Sequence, residues 1–159
     1  MRRALILTAL AAVPAYASDG SAGHAKTSVS FAAGPLLVED GASAGLGLSH
    51  ALLPHLALTL DAHGAIDTEG DTGLMASAGL NATLLPRNRV SPYVLGSYGW
   101  GQAYQDHGKA IQLGAGLSSR FDRRWSGFVE TRFTVIDAGG YDTPYLDWPL
   151  RVGVRLDLP

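Results

Sequence analysis

The sequence predicts an all-β fold, an eight-stranded antiparallel up-and-down transmembrane β-barrel. Three observations predict it. Apolar residues recur with period two in short runs separated by turn residues, the pattern of strands with two unlike faces. Charged types make up only 16% of the 159 residues and apolar types 47%, whereas soluble domains carry about 25% charged residues. An export signal precedes the alternating region.

That signal is expected over residues 1–17. Arg2 and Arg3 form a basic start, residues 4–13 are apolar, and Ala15-Tyr16-Ala17 supplies the small-x-small cleavage pattern. The apolar run is too short for a membrane helix, which needs about 20 residues. Residues 18–25 read as a short flexible lead-in, and 26–159 as the barrel domain. Without Arg2 and Arg3 the remaining chain is more acidic than its overall net charge of −2. That balance argues against nucleic acid as a partner. The chain has no cysteine, so neither a disulfide nor a cysteine-ligated metal supports the fold.

Strands are expected over 26–34, 43–52, 56–65, 73–84, 92–104, 110–121, 125–136 and 150–158. In the first, Val29, Phe31 and Ala33 share a face. In the second, Leu46 and Leu48 oppose Gly45, Gly47 and Ser49. In the third, Leu56, Leu58, Leu60 and Ala62 oppose Ala57, Thr59, Asp61 and His63. In the fourth, Leu74, Ala76, Ala78, Leu80, Ala82 and Leu84 oppose Met75, Ser77, Gly79, Asn81 and Thr83. The fifth is irregular: Tyr93, Leu95, Tyr98 and Trp100 change face partway, and a bulge is expected there. In the sixth, Ile111, Leu113, Ala115 and Leu117 oppose Gln112, Gly114, Gly116, Ser118 and Arg120. In the seventh, Val129, Phe133 and Val135 oppose Phe128, Glu130, Arg132 and Thr134. The last is the clearest, with Leu150, Val152, Val154, Leu156 and Leu158 against Arg151, Gly153, Arg155 and Asp157.

Alternation alone does not say which face is inside. The polar faces decide it. They are mostly Gly, Ser, Thr and Asn, whereas a water-facing surface carries about a quarter to a third charged residues. The apolar faces carry no charge, as lipid contact requires, because a charge at the bilayer centre costs about 2–4 kcal/mol in such a barrel. Strands near ten residues match the roughly 9–11 needed to cross at a tilt, and closure pairs every backbone group.

The connections point the same way. Short turns are expected at 53–55, 85–91 and 122–124, and mostly longer loops at 35–42, 66–72, 105–109 and 137–149. This asymmetry is that of bacterial outer-membrane barrels, with both termini on the periplasmic side. The long-loop end holds Glu39, Asp40, Asp67, Glu69, Asp71, Asp106, Asp137, Asp142 and Asp147, with Lys109 as its only Lys or Arg. The short-turn end holds Arg87, Arg89, Arg123 and Arg124 against Asp122.

Three stretches carry a family resemblance. The run Pro92-Tyr93-Val94-Leu95-Gly96-Ser97-Tyr98-Gly99-Trp100-Gly101 resembles the PYxxxGxG strand of small OmpA-like and opacity-type outer-membrane barrels. Residues 125–134, WSGFVETRFT, are similar to the W-x-x-x-x-E-x-R-Y/F strand of those barrels, and 151–156, RVGVRL, to their closing strand. The chain departs from them at Leu158-Pro159, where they end in an aromatic residue that the assembly machinery reads. The resemblance implies a bacterial outer-membrane location, insertion by the barrel-assembly machinery, and contact with outer-membrane lipid and lipopolysaccharide. A monomer is expected.

Candidate sites follow. Asp61, Arg120, Glu130, Arg132, Arg151, Arg155 and Asp157 share the inferred lumen. An unpartnered buried charge is very costly, so these groups are expected to pair, and the resemblance implies an interior salt-bridge network. Structural stabilisation is favoured over an ion path, since eight strands leave room for side chains and little else. The last long loop joins glycines, acids and aromatics, which makes Tyr141, Asp142, Tyr145 and Trp148 candidates for surface recognition, set against a simple interfacial girdle. Asp67-Thr68-Glu69-Gly70-Asp71 spaces carboxylates as a calcium site could, but the full loop pattern is absent and a solvated acidic loop is the better reading.

The histidines are His24, His50, His55, His63 and His107. None has a serine two residues later, as lipid-deacylating barrels do, and Asp61–His63 is the best pair available. No catalysis, cofactor or metal is expected. The function expected is structural or interactive: membrane integrity, or adhesion through acidic loops to an unidentified surface ligand. The alternatives are a lipid-modifying barrel enzyme and a soluble exported barrel around a small hydrophobic ligand, which requires an apolar interior.

Overall fold

The computed structural model describes residues 27–37, 40–68, 70, 72–86, 88–103, 106–138 and 145–159, with backbone alone at 103, 106, 138 and 145–147. The expected signal and lead-in lie outside the described residues, as do Glu39, Glu69, Asp71, Arg87, Tyr141 and Asp142.

The chain forms a closed barrel. Its strands are β1 (Thr27–Pro35), β2 (Gly41–Leu53), β3 (Leu56–Asp67), β4 (Thr72–Thr83), β5 (Val90–Ala103), β6 (Asp106–Arg120), β7 (Trp125–Ala138), β8 (Tyr145–Asp147) and β9 (Leu150–Asp157). Each pairs antiparallel with its sequence neighbour from β1 through β7, β9 pairs with both β7 and β1, and the ring closes there. The short β8 also lies along β7, through Thr134↔Asp147 and Ile136↔Tyr145. With β9 it makes one wall of an eight-stranded barrel, interrupted at Trp148-Pro149. A proline has no N–H to give a ladder, which accounts for the break. The Pro149 carbonyl still accepts from the Arg132 N–H at 3.3 Å and the Thr131 hydroxyl at 3.2 Å.

Burial is inverted relative to a water-soluble domain. Leu46, Leu74 and Leu113 are each more than 60% exposed, while Gln112, Thr134 and Arg151 are 2% exposed or less. The outer face follows the apolar positions read from the alternation. The inner face carries Ser28, Ser43, Ser77, Asn81, Ser97 and the charged groups, interleaved with two small apolar clusters. One is Met75, Ala110 and Ile136, and the other Ala32, Tyr93, Leu95 and Phe128.

Two expectations are corrected. The fifth strand has no bulge: its ladders run without a shift from Val90↔Ser119 to Ala103↔Asp106 and from Thr83↔Tyr93 to Gly73↔Ala103. Alternation is strict, with Tyr93, Leu95 and Ser97 inside and Val94, Tyr98 and Trp100 outside. The apparent change of face arose because Tyr93 and Leu95 are large residues that point inward. The loop asymmetry also shrinks. Asp67, Asp106, Lys109 and Asp137, read as loop residues, sit in β3, β6 and β7, and β5 and β6 are joined across 104–105 alone. Backbone pairing between neighbours, indifferent to side-chain type, carries these strands further than the polar residues implied.

Candidate functional site

The barrel interior is organised in levels set by register. Tyr93, Gly116, Glu130 and Arg151 lie side by side across β5, β6, β7 and β9. One step along, Leu95, Gly114 and Arg132 do the same, and the next level holds Ser97, Gln112 and Thr134. Across β5, β6 and β7 large and small residues thus alternate around the wall, which is how a narrow lumen is filled.

Glu130 is the centre. Its Oε1 accepts from Arg132 Nε at 2.9 Å and from Arg151 Nη2, and its Oε2 accepts from the Tyr93 hydroxyl at 2.8 Å. Arg132 then reaches across the lumen, donating from Nη2 to Asp61 Oδ1 at 3.1 Å and from Nη1 to Gln112 Oε1 at 3.4 Å. That Gln112 oxygen also accepts from the Ser97 and Ser77 hydroxyls at 3.1 and 3.4 Å, while its amide donates to Thr134 Oγ1 at 2.9 Å. The two arginines and two carboxylates balance, so the desolvation of each charge is offset by a partner at hydrogen-bond range.

The remaining candidates separate from this centre. Arg120 and Asp157 pair with each other at 3.2 Å at the turn end, with the arginine side chain 44% exposed. Arg155 stacks over the Phe128 ring at 5.5 Å, and its Nε is buried without a hydrogen-bond partner. A cavity of about 20 Å³ remains beside Ser30, Asp61, Asn81, Glu130 and Arg155, room for about one water molecule.

His63 is buried in the lumen with an unpartnered Nδ1, facing away from the outer surface. On the outer face, His50 Nδ1 and Thr27 Oγ1 are hydrogen-bonded at 2.9 Å; the outward residues around His50 on β2 and β3 are Leu48, Leu52 and Leu58. Of the surface-loop candidates, Trp148 is half-exposed on the outer face, between β8 and β9. Its Nε1 donates to Thr131 Oγ1 at 2.5 Å and its ring meets Phe133 edge-on at 6.0 Å. Tyr145 lies in β8; Tyr141 and Asp142 are outside the described residues. Among the described residues no cluster of His, Asp and Glu could hold a metal ion.

Sequence reasoning missed Tyr93, Gln112, Ser77, Ser97 and Thr134 as members of the network. Parity holds the signal for most of them, since Gln112 shares a face with Gly114 and Gly116 and Thr134 with Glu130. Tyr93 lay in the strand whose facing was misread.

No family model and no curated protein matches the chain. Solved structures do. Neisserial surface protein A is similar with a TM-score of 0.72 at 13% identity, over 83% of this chain and 96% of that one. The N-terminal β-barrel domain of Pseudomonas aeruginosa OprF gives 0.61 at 16%, over 82% and 96%. The outer membrane enzyme PagL gives 0.55 at 15%, over 82% and 99%. At these identities the likeness is one of fold: a small closed eight-stranded barrel.

Proposed function

We propose that this chain is a bacterial outer-membrane barrel whose role is structural or interactive rather than catalytic. The observation that carries the reading is the inverted burial. Leu46, Leu60, Leu74, Leu80 and Leu113 cover the outside, while Asp61, Glu130, Arg132 and Arg151 are shielded inside. In water that outer face would be a contiguous apolar patch of a size that soluble monomers rarely expose. In a bilayer it is the solvent-matched face, and the polar lumen needs no lipid contact. The soluble ligand-binding alternative needs an apolar interior, and the interior holds ion pairs instead.

The lumen network supports a stabilising role. A guanidinium, two carboxylates and Gln112 reach across the bore, and a water-sized cavity lies beside them. Export would use residues 1–17, and the assembly machinery would deliver the barrel to a membrane of phospholipid and lipopolysaccharide. The rim bearing Asp40, Asp67 and Asp137 would then face the cell exterior and meet any surface ligand, with Tyr141, Asp142, Tyr145 and Trp148 following it in sequence.

A lipid-modifying role would require a nucleophile and base open to lipid. His63 is enclosed in the lumen, whereas the outward Thr27–His50 pair stands among lipid-facing leucines, so the structural reading rests on the inverted burial and the lumen network and not on the lack of such a pair.

Cell fractionation combined with gel migration tests the reading. The chain should pellet with outer membranes and migrate differently with and without boiling. A chain that stays in the supernatant after membranes are pelleted would sink it.

A further inference from the structure

The two ends of the barrel carry opposite charge. Among the described residues, the rim with Asp40, Asp67 and Asp137 has Lys109 as its basic group, whereas the turn end presents Arg89, Arg120, Arg123 and Arg124 against Asp122 and Asp157. Arg120 and Asp157 neutralise each other. Arg89, Arg123 and Arg124 are exposed.

These three arginines occupy one sector. Arg89 ends the connection from β4 to β5, and Arg123 and Arg124 lie in the connection from β6 to β7. The two connections are neighbours, because Val90 pairs with Ser119 and Arg120 with Ser126. Both are held by hydrogen bonds. The Ser91 hydroxyl donates to the Leu85 carbonyl at 2.9 Å or the Asn88 carbonyl at 3.0 Å, and Leu84 N–H donates to the Pro92 carbonyl at 2.8 Å. On the other turn, the N–H groups of Phe121 and Asp122 both reach the Trp125 carbonyl at 3.2 Å, and the Arg124 carbonyl accepts from Asp157 N–H at 2.8 Å. The positive charge is therefore presented on fixed backbone.

Apolar side chains border it. Leu84 and Leu85 on the first turn are 59% and 49% exposed, and Trp125 at the start of β7 is 40% exposed. A tryptophan and leucines just inside a band of arginines match the profile of a membrane interface, with acyl chains below and headgroups above.

We propose that this turn-end sector docks anionic phospholipid headgroups of the leaflet on its side, with Arg89, Arg123 and Arg124 against the phosphates and Leu84, Leu85 and Trp125 against the first acyl carbons. The proposal rests on the membrane reading above. Guanidinium groups pair with phosphate oxygens in bidentate geometry, and a basic residue near an anionic surface favours binding about fivefold. The opposite rim, rich in carboxylates, would repel the same lipids.

The three tryptophans of the chain, Trp100, Trp125 and Trp148, supply the test. The full-length chain is refolded into phosphatidylcholine vesicles, and insertion is scored by the boiling-dependent gel shift. Quenching by brominated phosphatidylglycerol is then compared with quenching by brominated phosphatidylcholine. One variant keeps Trp125 alone (Trp100→Phe with Trp148→Phe), and another keeps Trp100 alone (Trp125→Phe with Trp148→Phe). Trp125 should report a severalfold preference for phosphatidylglycerol that fades as salt is raised, and Trp100 should report none. Adding Arg89→Gln, Arg123→Gln and Arg124→Gln should bring Trp125 to parity, and lysine at the same three positions should restore most of the preference. No preference at Trp125, an equal preference at Trp100, or a preference that survives the glutamine triple overturns the docking proposal while leaving the membrane reading intact. A chain that neither inserts nor shifts on the gel overturns both.

Discussion

The Tyr93 hydroxyl donates to Glu130 Oε2 at 2.8 Å although β6 lies between their two strands. The ring crosses the inner face of β6 above Gly116, where a Cβ would lie 2.6 Å from the phenol and 2.7 Å from the Val129 carbonyl. Glu130 is thereby held from three sides, by one hydroxyl and two guanidinium groups.

The interactions at Glu130 differ in kind, so their loss should differ in size. Glu130→Ala strips Arg132 and Arg151 of a shared counter-charge in a buried site, and breaking such a pair costs about 3–5 kcal/mol. Tyr93→Phe removes one hydroxyl from a carboxylate that keeps two arginines, a loss of about 1–3 kcal/mol. Urea unfolding in vesicles, followed by tryptophan fluorescence, should rank them in that order. Equal costs would mean that the phenol, and not the ion pairs, holds the carboxylate.

Gly116 should be sensitive for a reason tied to Tyr93. Gly116→Ala forces the new methyl into the phenol and the Val129 carbonyl, an overpacking cost of about 1–3 kcal/mol. Combining it with Tyr93→Ala should return part of that cost, because one of the two clashes is gone. Strict additivity in a double-mutant cycle would show that the ring does not lie over β6.

How much of this was legible in the sequence follows from what is local. The facing of β9 was plain, since Arg151, Arg155 and Asp157 alternate with Val152, Val154 and Leu156. The shared face of Glu130 and Arg132 followed from a spacing of two. The facing of Tyr93 and Leu95 was not legible. Those side chains fit inside only because Gly116 and Gly114 stand beside them on β6, a relation fixed by cross-strand register and absent from the run 90–103 itself. Likewise Asp61 sits far from Arg132 in sequence, and only barrel closure brings them to 3.1 Å. Where Asp67, Asp106 and Asp137 belonged was decided by backbone pairing, which residue type does not announce.

On the outer face, Trp148 does double service, donating to Thr131 Oγ1 and packing edge-on against Phe133. It fills the position where Pro149 interrupts the wall between β8 and β9. Trp148→Phe keeps ring contact and loses the hydrogen bond, which should cost about 0.5–1.5 kcal/mol. Trp148→Ala loses the aromatic pair as well, a further loss of about 0.5–1.5 kcal/mol beyond area burial. Amide exchange at Thr134 and Ile136, which pair with β8, should quicken in the alanine variant. Unchanged exchange there would show that the short strand holds without the indole.

The outer face gives the sharpest contrast between a membrane barrel and a soluble one. Leu113 sits midway along β6 and is 62% exposed, and Leu53 sits at the turn end of β2 and is 52% exposed. In water, arginine at either site would be close to neutral, because both side chains are already open to solvent. In a bilayer the cost depends on depth, about 2–4 kcal/mol at the midplane and about 0–1 kcal/mol near the interface. Leu113→Arg should therefore destabilise the refolded protein in vesicles by several times more than Leu53→Arg, and should slow insertion. Equal and small effects would place both residues in water and remove the physical ground for the membrane reading.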